Sequence, residues 1–442
     1  MIVARRRGAR PTLPSIDGVV TSGTGDPGQP RCEFLQWAAS GCMMLTGRPD
    51  GPPLAPTGAG MIRAQEMADH ITRLTSRLGT AVEIDLREAL SGRAALGGLR
   101  RAGHRSANGT CRLLRADDGW VAVNLARADD IEALPAVVGR PVVGDPWAAV
   151  TAFARSSPTA ELVDRAQLVG IPASTVGNPA STVSTDPVVR RPPVRVSPHG
   201  HRLQHRRLAD ITVVDLSSLW AGPLCAHWLG LAGARVLTVE SAARPDGARI
   251  GSPDLHRWLH LGHQSVVLDF SAASGQKRLA DLLSTADIVI ESSRPRALEQ
   301  LGVGHAVVAP RDGRTWLSIT GYGRASDRVA FGDDAAVAGG LVAYDEVGPV
   351  FCGDALADPL SGLAGTEAVL MSVANGGGEL LDLSMRDVAR SVAEPLTDPT
   401  CARDHHTIPV GGGRWRARCG VSEVDVADPG APVHGKLPTS VR

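Results

Sequence analysis

The stretch VVDLSSLWAGPLCAHWLGLAGARVLTVE, residues 213–240, decides the fold class of this chain. It reads as a buried strand at 211–217, a helix at 221–234 that opens with a Gly-Pro turn, and a second strand at 235–240. Further strands and helices then alternate as far as the strand TWLSIT at 315–320. Alternation of this kind is typical of βαβ units, so we predict an α/β fold with a doubly wound, mostly parallel sheet.

The part of the chain before this region has a different pattern, which predicts a smaller α+β domain. Residues 64–78 have the period of a helix, AVEIDL at 81–86 alternates like a strand, and two apolar runs around ADDG at 109–126 predict a hairpin. Two short helices follow. The predicted divisions are a disordered arm at 1–33, a folded region at 34–176, a Pro/Arg-rich linker at 177–207, the sheet region at 208–395 and a loose tail at 396–442.

Composition excludes several classes of function. Lys+Arg and Asp+Glu balance at 46 each and aromatic residues make up 3%, so we expect no nucleic-acid partner and no membrane surface as partner. The basic start lacks the apolar core of a secretory signal, and no apolar run is long enough to span a membrane. The seven cysteines stand singly and have no zinc-site or disulfide spacing. These features together predict a cytoplasmic protein.

A weak internal repeat connects the two folded regions. AASGCMMLTG at 38–47 aligns with VAGGLVAYDE at 337–346, and VEIDLREA at 82–89 aligns with LDLSMRDV at 381–388. Both alignments are free of gaps, and in both the second segment lies 299 positions after the first. Two matches at one offset indicate that a segment of the chain is duplicated.

Three places near the ends of predicted strands are candidates for phosphate binding. Ala221, Gly222 and Pro223 begin a helix directly after a strand, where backbone N–H groups and the helix dipole favour an anion. Arg249 and Arg294 lie in loops that follow strands, where a guanidinium can pair with phosphate. The alternative in each case is an ordinary βα turn or a solvated loop, and the chain has no GxGxxG or Walker A motif.

Asp358, in the stretch CGDALADPLSGLAG, has two interpretations. It precedes a proline in front of an apolar helix, which is the pattern of a helix N-cap. The other interpretation is a nucleophilic carboxylate at the start of a helix that leads away from the site. His199, His201 and His205 have a spacing that suits a metal, but they lie in the predicted linker without a nearby carboxylate or cysteine, so we predict no metal site.

In this order, the segments resemble the class III CoA-transferases, the family of formyl-CoA transferase, carnitine CoA-transferase and α-methylacyl-CoA racemase. The resemblance covers about 208–392 and implies a Rossmann-like CoA-binding domain. ARPDGAR is similar to the family's Pro–Gly-Asp–Arg loop, and LSITGYG to its Ser-Gly-Phe/Tyr-Gly segment. LHLGHQSVVLDF is similar to the segment with Asn-Arg-Gly-Lys-Arg-Ser, and SSRPRALEQLG to the later Asn-Phe-Arg-Pro-Gly turn.

The resemblance also implies roles for individual residues. Asp358 falls at the position of the family's catalytic carboxylate. The implied CoA contacts are Arg249, Arg294 and the turn at 221–223. His263 stands where the family has the lysine of its basic segment, so a titratable group replaces a fixed charge.

Residues 34–176 resemble the later part of the same family, so the family's order is inverted in this chain. The back of one copy precedes the front of another, which would explain the internal repeat. At the offset of the repeat Ala59 stands opposite Asp358, so the first copy lacks the carboxylate. Family members form intertwined dimers, and the resemblance therefore implies a homodimer.

The activity implied is transfer of CoA from an acyl-CoA thioester to a carboxylic acid, through an aspartyl anhydride and an aspartyl thioester. The thioester is a substrate, and no permanently bound cofactor is implied. One alternative is a racemase with the same fold, in which two acid/base groups flank the α-carbon. Asp333 stands where the racemases have the His of Gly-His-Asp, so that pair is incomplete. The other alternative is a catalytically silent CoA-binding relative.

Overall fold

The computed structural model describes residues 32–56, 58–177, 192–204, 206–395 and 404–432. Within these residues the helices are α1 Glu33–Ala39, α2 Gly60–Leu78, α3 Leu86–Gly97, α4 Ala128–Val138, α5 Pro146–Arg155, α6 Thr159–Leu168, α7 Ala221–Leu231, α8 Ala248–Gly251, α9 Pro253–Leu259, α10 Ala273–Thr285, α11 Pro295–Gln300, α12 Gly332–Ala338, α13 Ala357–Ala374 and α14 Met385–Ala393. The strands are β1 Cys111–Arg115, β2 Trp120–Asn124, β3 Ala173–Thr175, β4 Val194–Pro198, β5 Thr212–Asp215, β6 Arg235–Ser241, β7 Gln264–Leu268, β8 Ile288–Glu291, β9 Thr315–Thr320, β10 Val342–Tyr344, β11 Pro349–Phe351, β12 Glu379–Ser384, β13 His405–Gly411, β14 Arg414–Cys419 and β15 Ser422–Asp425.

The largest sheet has seven strands in the order β4-β12-β9-β8-β5-β6-β7. Its neighbours pair in parallel except for β4, which runs antiparallel to β12. The order reverses at β5, because β6 and β7 continue on one side and β8, β9 and β12 on the other. In β8, Ile288 and Ile290 pack into one core and Val289 packs into the other, so both faces of the sheet are covered. The predicted α/β fold with a mostly parallel sheet is confirmed.

A smaller unit with its own core lies in the first half of the chain. β1, β2 and β3 form an antiparallel sheet, and α4, α5 and α6 pack on it through buried side chains such as Leu134, Val150 and Leu162. The predicted hairpin and the two short helices are present here. This unit occupies about 111–175 and is narrower than the predicted region at 34–176. Helices α1, α2 and α3 instead share the main core with the large sheet.

Three other local predictions are wrong. AVEIDL at 81–86 is not a strand, because Asp85 accepts backbone N–H bonds and caps helix α3. The predicted linker at 177–207 contains β4, which adds an edge strand to the large sheet. The predicted tail at 396–442 contains the antiparallel sheet of β13, β14 and β15, whose Ala417 and Cys419 are buried in the main core. Most of the predicted arm at 1–33, and His205, lie outside the described residues.

Helix boundaries repeat at the offset of the internal repeat. α1 ends at Ala39 and α12 at Ala338, which are 299 positions apart. α3 begins at Leu86 and α14 at Met385, again 299 positions apart. Helices α2 and α13 lie between these pairs and pack against each other. The two segments of the predicted duplication thus meet within one chain.

None of the helices in the described parts of the chain has both the length and the apolar composition needed to cross a membrane.

Candidate active site

Asp358 lies in the first turn of α13, and its neighbours Ala357 and Pro359 are both buried. The helix begins at Ala357 and its cap position is Leu356, so the interpretation of Asp358 as the N-cap is wrong. The side chain is half-buried and keeps some contact with solvent. A Cβ atom on Gly332 would lie 2.4 Å from Asp358 Oδ2, so glycine is needed at that position for the carboxylate to fit.

Two more carboxylates and one guanidinium surround Asp358. Arg93 of α3 donates two hydrogen bonds to Asp354, with Nε–Oδ2 at 2.7 Å and Nη2–Oδ1 at 2.5 Å. Asp354 is fully buried and Arg93 is 21% exposed. The same guanidinium interacts electrostatically with Asp333 and Asp358. The positive charge of Arg93 therefore acts on three carboxyl groups. The guanidinium is hydrogen-bonded to Asp354 and not to Asp358.

Burial dominates the ionisation of this cluster. It raises the pKa of Asp358 to about 7; Asp333 and Asp354 add to the rise, whereas Arg93 and the backbone N–H of Gly332 oppose it. Burial and the charge of Asp354 also raise the pKa of Asp333. A carboxylate that is hard to ionise and lacks an ion-pair partner is typical of a reactive group more than of a structural one.

Asp333, which we predicted to stand in place of a racemase histidine, is engaged by its neighbours. Its Oδ1 accepts the backbone N–H of Ala355 at 2.9 Å, and its Oδ2 accepts Asn108 Nδ2 at 2.9 Å. Ala355 has φ of 45°, in the left-handed region that is unfavourable for a residue with a Cβ. The carboxylate of Asp333 thus holds a strained turn three residues before Asp358.

The predicted phosphate turn at 221–223 is the first turn of α7, and all three residues are buried. A Cβ on Gly222 would lie 2.1 Å from Ser217 Oγ, so the glycine is required where the loop passes the helix. A Cβ on Gly362 of α13 would lie 3.1 Å from the carbonyl oxygen of Ala221. Close packing of α7 on α13 therefore fixes this turn relative to the helix that carries Asp358.

Arg294 lines a cleft of about 680 Å³ at the carboxyl ends of β8 and β9. The opposite wall is the loop at 167–170 of the smaller unit, where a Cβ on Gly170 would approach Arg294 Nη2 to 2.9 Å. The cleft extends to Ala330, two residues before Gly332. The cleft is thus open at the ends of β8 and β9 and extends toward Gly332, which contacts Asp358.

Arg249 and His263 do not line this cleft. Arg249 follows β6 and pairs with Glu240, Nη2–Oε1 at 2.5 Å, and it lines a separate hollow of about 440 Å³ near helix α9. Burial and the nearby His260 and His227 lower the pKa of His263 to about 3. The imidazole that replaces the family's lysine is therefore uncharged near neutral pH.

Arg93 and Asp354 form part of the site but were not among the predicted site residues, and Asp333 was considered only for the racemase alternative. Asp354 stands in the same quoted stretch as Asp358, four positions earlier, so a search for paired carboxylates finds it. Arg93 is 261 positions from Asp354 in an ordinary helical pattern. No local signal marks it, because its role arises only when α3 packs against the loop before α13.

The family model for CoA-transferase family III matches residues 208–419. The match spans Asp358, the turn at 221–223, Arg249, His263 and Arg294. This match and the relatives described next confirm the resemblance to the class III CoA-transferases that the sequence shows.

Curated relatives and a solved structure accompany this match. The succinyl-CoA–L-malate CoA-transferase β subunit of Chloroflexus aurantiacus is 33% identical over 197 residues, which are 40% of this chain and 49% of the relative. An acyl-CoA transferase of Fusarium pseudograminearum is 29% identical over 211 residues, 42% of this chain and 46% of the relative. A crystal structure of a CAIB/BAIF family protein from Brucella suis has a TM-score of 0.41 and 24% identity, and covers 47% of this chain and 65% of that one. The chain spans about half the length of the curated relatives it matches.

Proposed function

We propose that this protein transfers CoA from an acyl-CoA thioester to a carboxylic acid, with Asp358 as the nucleophile. The observation that carries the proposal is the state of Asp358. It is half-buried at a helix start, is bound by none of the guanidinium groups in the described part of the chain, and has a pKa raised by burial to about 7. The match of the surrounding region to the family model for CoA-transferase family III supports the same activity.

In the first half of the reaction Asp358 attacks the thioester carbonyl. A bond forms between a carboxylate oxygen and the acyl carbon, the C–S bond breaks, and the CoA thiolate leaves with the electron pair. The thiolate then attacks the carbonyl carbon of Asp358 in the mixed anhydride. This step forms an aspartyl–CoA thioester and releases the first acid as its carboxylate.

In the second half the acceptor carboxylate attacks the aspartyl thioester and expels the CoA thiolate. The thiolate attacks the acceptor's acyl carbon in the new anhydride, which gives the product thioester and restores the carboxylate of Asp358. No atom changes oxidation state and no proton is gained or lost overall, so the cycle as written needs no redox cofactor. A carboxylate is a weak nucleophile, and the rate depends on positioning and on N–H donors such as Gly332 near the developing oxyanion.

We place the nucleotide of CoA at the carboxyl edge of a Rossmann-like sheet. The reversal of strand order at β5 supports this, because ligands of doubly wound sheets bind where the order changes. Arg294 follows β8 and the 221–223 turn follows β5, so both flank that crevice. Arg249 follows β6, two strands from β8 and about 10 Å across the sheet, where it can meet a more distant phosphate.

The pH dependence of the reaction follows from the pKa of Asp358. The nucleophile must be ionised, so kcat/KM should rise with pH and level off above about 7. A carboxyl group with the ordinary aspartate pKa of 3.8 would already be ionised well below pH 7. In that case kcat/KM would not change as the pH approaches 7.

Two other functions compete with this proposal. Racemisation needs a second acid/base group, and Asp333 is a poor candidate because both its oxygens already accept hydrogen bonds. A silent CoA-binding relative is favoured by the pairing of Arg249 with Glu240 and by the neutral His263, since both reduce the charge available for phosphate.

A mass measurement separates the three functions. Wild type and Asp358→Asn are incubated with a panel of acyl-CoA thioesters, with succinyl-CoA first because several relatives are named for it. Intact mass is then recorded with and without hydroxylamine. A CoA adduct that hydroxylamine converts to a hydroxamate, and that the variant lacks, supports the transferase. Exchange of the α-proton in deuterated water without an adduct indicates the racemase, and CoA binding without either indicates the silent relative.

The cytoplasmic location and the homodimer also remain proposals, and both rest on sequence features and on the family. The acceptor in this proposal is a carboxylic acid, and adding a panel of carboxylic acids to the same assay would determine its identity.

A further inference from the structure

Two cysteines and a histidine from opposite ends of the described chain meet at one point. Cys32 Sγ, His405 Nε2 and Cys419 Sγ all lie within 4.8 Å of one another. The Cys32 Sγ–His405 Nε2 distance is 3.4 Å. Both cysteines are buried and His405 is exposed, so the cluster lies at the edge of the main core.

The fold holds these three side chains in place. Cys32 directly precedes α1, and His405 and Cys419 stand opposite each other in the antiparallel pair of β13 and β14. The ring of His405 stacks on Phe34 with centroids 4.9 Å apart and planes 3° apart. Helix α1 packs against β14 and β15. Strand pairing, ring stacking and helix packing thus converge on the same three ligand atoms.

We propose that Cys32, His405 and Cys419 bind a zinc ion. Thiolate and imidazole are the ligands that Zn²⁺ prefers in proteins. With Zn–S at about 2.3 Å and Zn–N at about 2.0 Å in a tetrahedral site, ligand sulfur and nitrogen lie about 3.5 Å apart. The observed Cys32 Sγ–His405 Nε2 distance of 3.4 Å matches that edge, and the other two ligand pairs lie within 4.8 Å. Zn²⁺ displaces the two thiol protons, and one position stays open for water or a further ligand.

This proposal departs from the prediction of no metal site, which was based on residue spacing along the sequence. The cysteines stand singly because the ligands are not close in sequence: 373 positions separate Cys32 from His405. The ion would join the start of α1 to the sheet of β13, β14 and β15, in the region for which we predicted a loose tail. Its role is structural, and it is independent of the proposed transfer reaction.

Zinc content of matched variants tests this site. The full chain is purified in reducing buffer, supplied with Zn²⁺, desalted and analysed by elemental mass spectrometry. His405→Ala is compared with His406→Ala, since His406 is the next residue of β13 and pairs with Asp404 instead. His405→Cys replaces one zinc ligand by another. We expect about one zinc per chain in wild type, His406→Ala and His405→Cys, and roughly a fifth of that or less in His405→Ala.

Two further readouts keep the test independent of folding defects. A chelator should lower the Tm of wild type and His406→Ala but leave His405→Ala unchanged, because only bound metal can be removed. Cobalt in place of zinc should show a thiolate charge-transfer band that Cys32→Ser weakens. Zinc content in His405→Ala equal to wild type, no zinc in wild type under reducing conditions, or a Cys32–Cys419 disulfide in the freshly purified protein would overturn the proposal.

Discussion

Helices α2 and α13 begin within two residues of corresponding positions in the two repeated segments, yet the carboxylate near each helix start comes from a different place. At the offset of 299 residues, Ala59 and Glu33 of the first segment correspond to Asp358 and Gly332 of the second. In the first segment the Glu33 carboxylate accepts the backbone N–H groups of Met61 and Ile62, at 2.7 and 3.0 Å. In the second, Gly332 leaves that space open and Asp358 fills it from the helix itself.

The comparison shows how one framework can support a structural and a reactive carboxylate. Burial raises the pKa of both Glu33 and Asp358 to about 7. Glu33 is committed to two backbone donors at a helix start, an arrangement that stabilises the fold. Asp358 is half-buried and lies near the end of the Arg294 cleft. The position of the carboxylate, more than its ionisation, therefore distinguishes the two segments.

The first segment also serves the site in the second. Arg93 lies on α3, and its guanidinium binds Asp354 in the loop before α13. The first segment has Ala59 in place of the carboxylate. It nevertheless contributes to the site, because its Arg93 supplies the positive charge of the cluster.

The largest expected effect comes from exchanging the carboxylate between the two segments. Asp358→Asn should lower kcat for CoA transfer by about 10³-fold or more, because the nucleophile is lost. Ala59→Asp in that background should not restore activity, because Glu33 occupies the corresponding space. Steady-state kinetics with the best donor of the panel measures both. Recovery in the double variant would contradict the assignment of different roles.

Breaking the Arg93–Asp354 ion pair, which connects the two segments, should strongly destabilise the protein. Arg93→Ala leaves the buried Asp354 without its partner, which should lower the free energy of unfolding by about 3–5 kcal/mol. Arg77→Ala, on the exposed side of α2, is the control and should change it by about 0.5 kcal/mol or less. Adding Asp354→Asn to Arg93→Ala should recover part of the loss. Denaturant unfolding gives these values, and equal effects of the two arginine variants would refute the pairing.

Stability should fall as the pH rises, owing to carboxyl groups of the second segment. Burial raises the pKa of Asp334 from 3.8 to about 8, so the folded state binds this proton more tightly than the unfolded chain does. The stabilisation is complete below about pH 4 and is lost as the pH passes through 8. Asp334→Asn should remove this part of the slope and be more stable than wild type at pH 8.5. Unfolding curves of both proteins from pH 5 to 8.5 test the difference, and parallel profiles would disprove it.

A smaller effect is expected on substrate binding. Arg294→Ala should raise KM for the acyl-CoA about tenfold and leave kcat nearly unchanged, because a phosphate contact acts equally in ground and transition states. Arg278→Ala on α10, an exposed arginine outside the cleft, is the control. A fall in kcat with constant KM would instead place Arg294 at the reacting atoms.

The smallest effect should come from the structural carboxylate. Glu33→Ala removes the acceptor of the first N–H groups of α2 and should lower stability by about 1 kcal/mol, with unchanged kcat. The exposed Glu66→Ala on the same helix is the control. A loss of activity larger than the loss of stability would mean that the first segment also takes part in chemistry.

Local sequence patterns predicted those parts of the fold that depend on local order. The strands and helices of 213–240 follow from periodicity, and the family motif singled out Asp358. The sheet of β13–β15 was not predicted, because its strands are short, polar and interrupted by the glycines at 411–413. Arg93 and the zinc ligands depend on contacts across more than 250 positions. The pKa of His263 depends on burial, which its position in a motif does not reveal.

The most direct test of the account is to locate the intermediate. The protein is incubated with the best acyl-CoA donor, treated with hydroxylamine or borohydride to mark the aspartyl thioester, digested and mapped by tandem mass spectrometry. We predict that the modified residue is Asp358 and that the peptide containing Glu33 is unmodified. Modification at Glu33 or Asp333, or none at any carboxylate while CoA transfer proceeds, would contradict the assignment of the chemistry to the second segment.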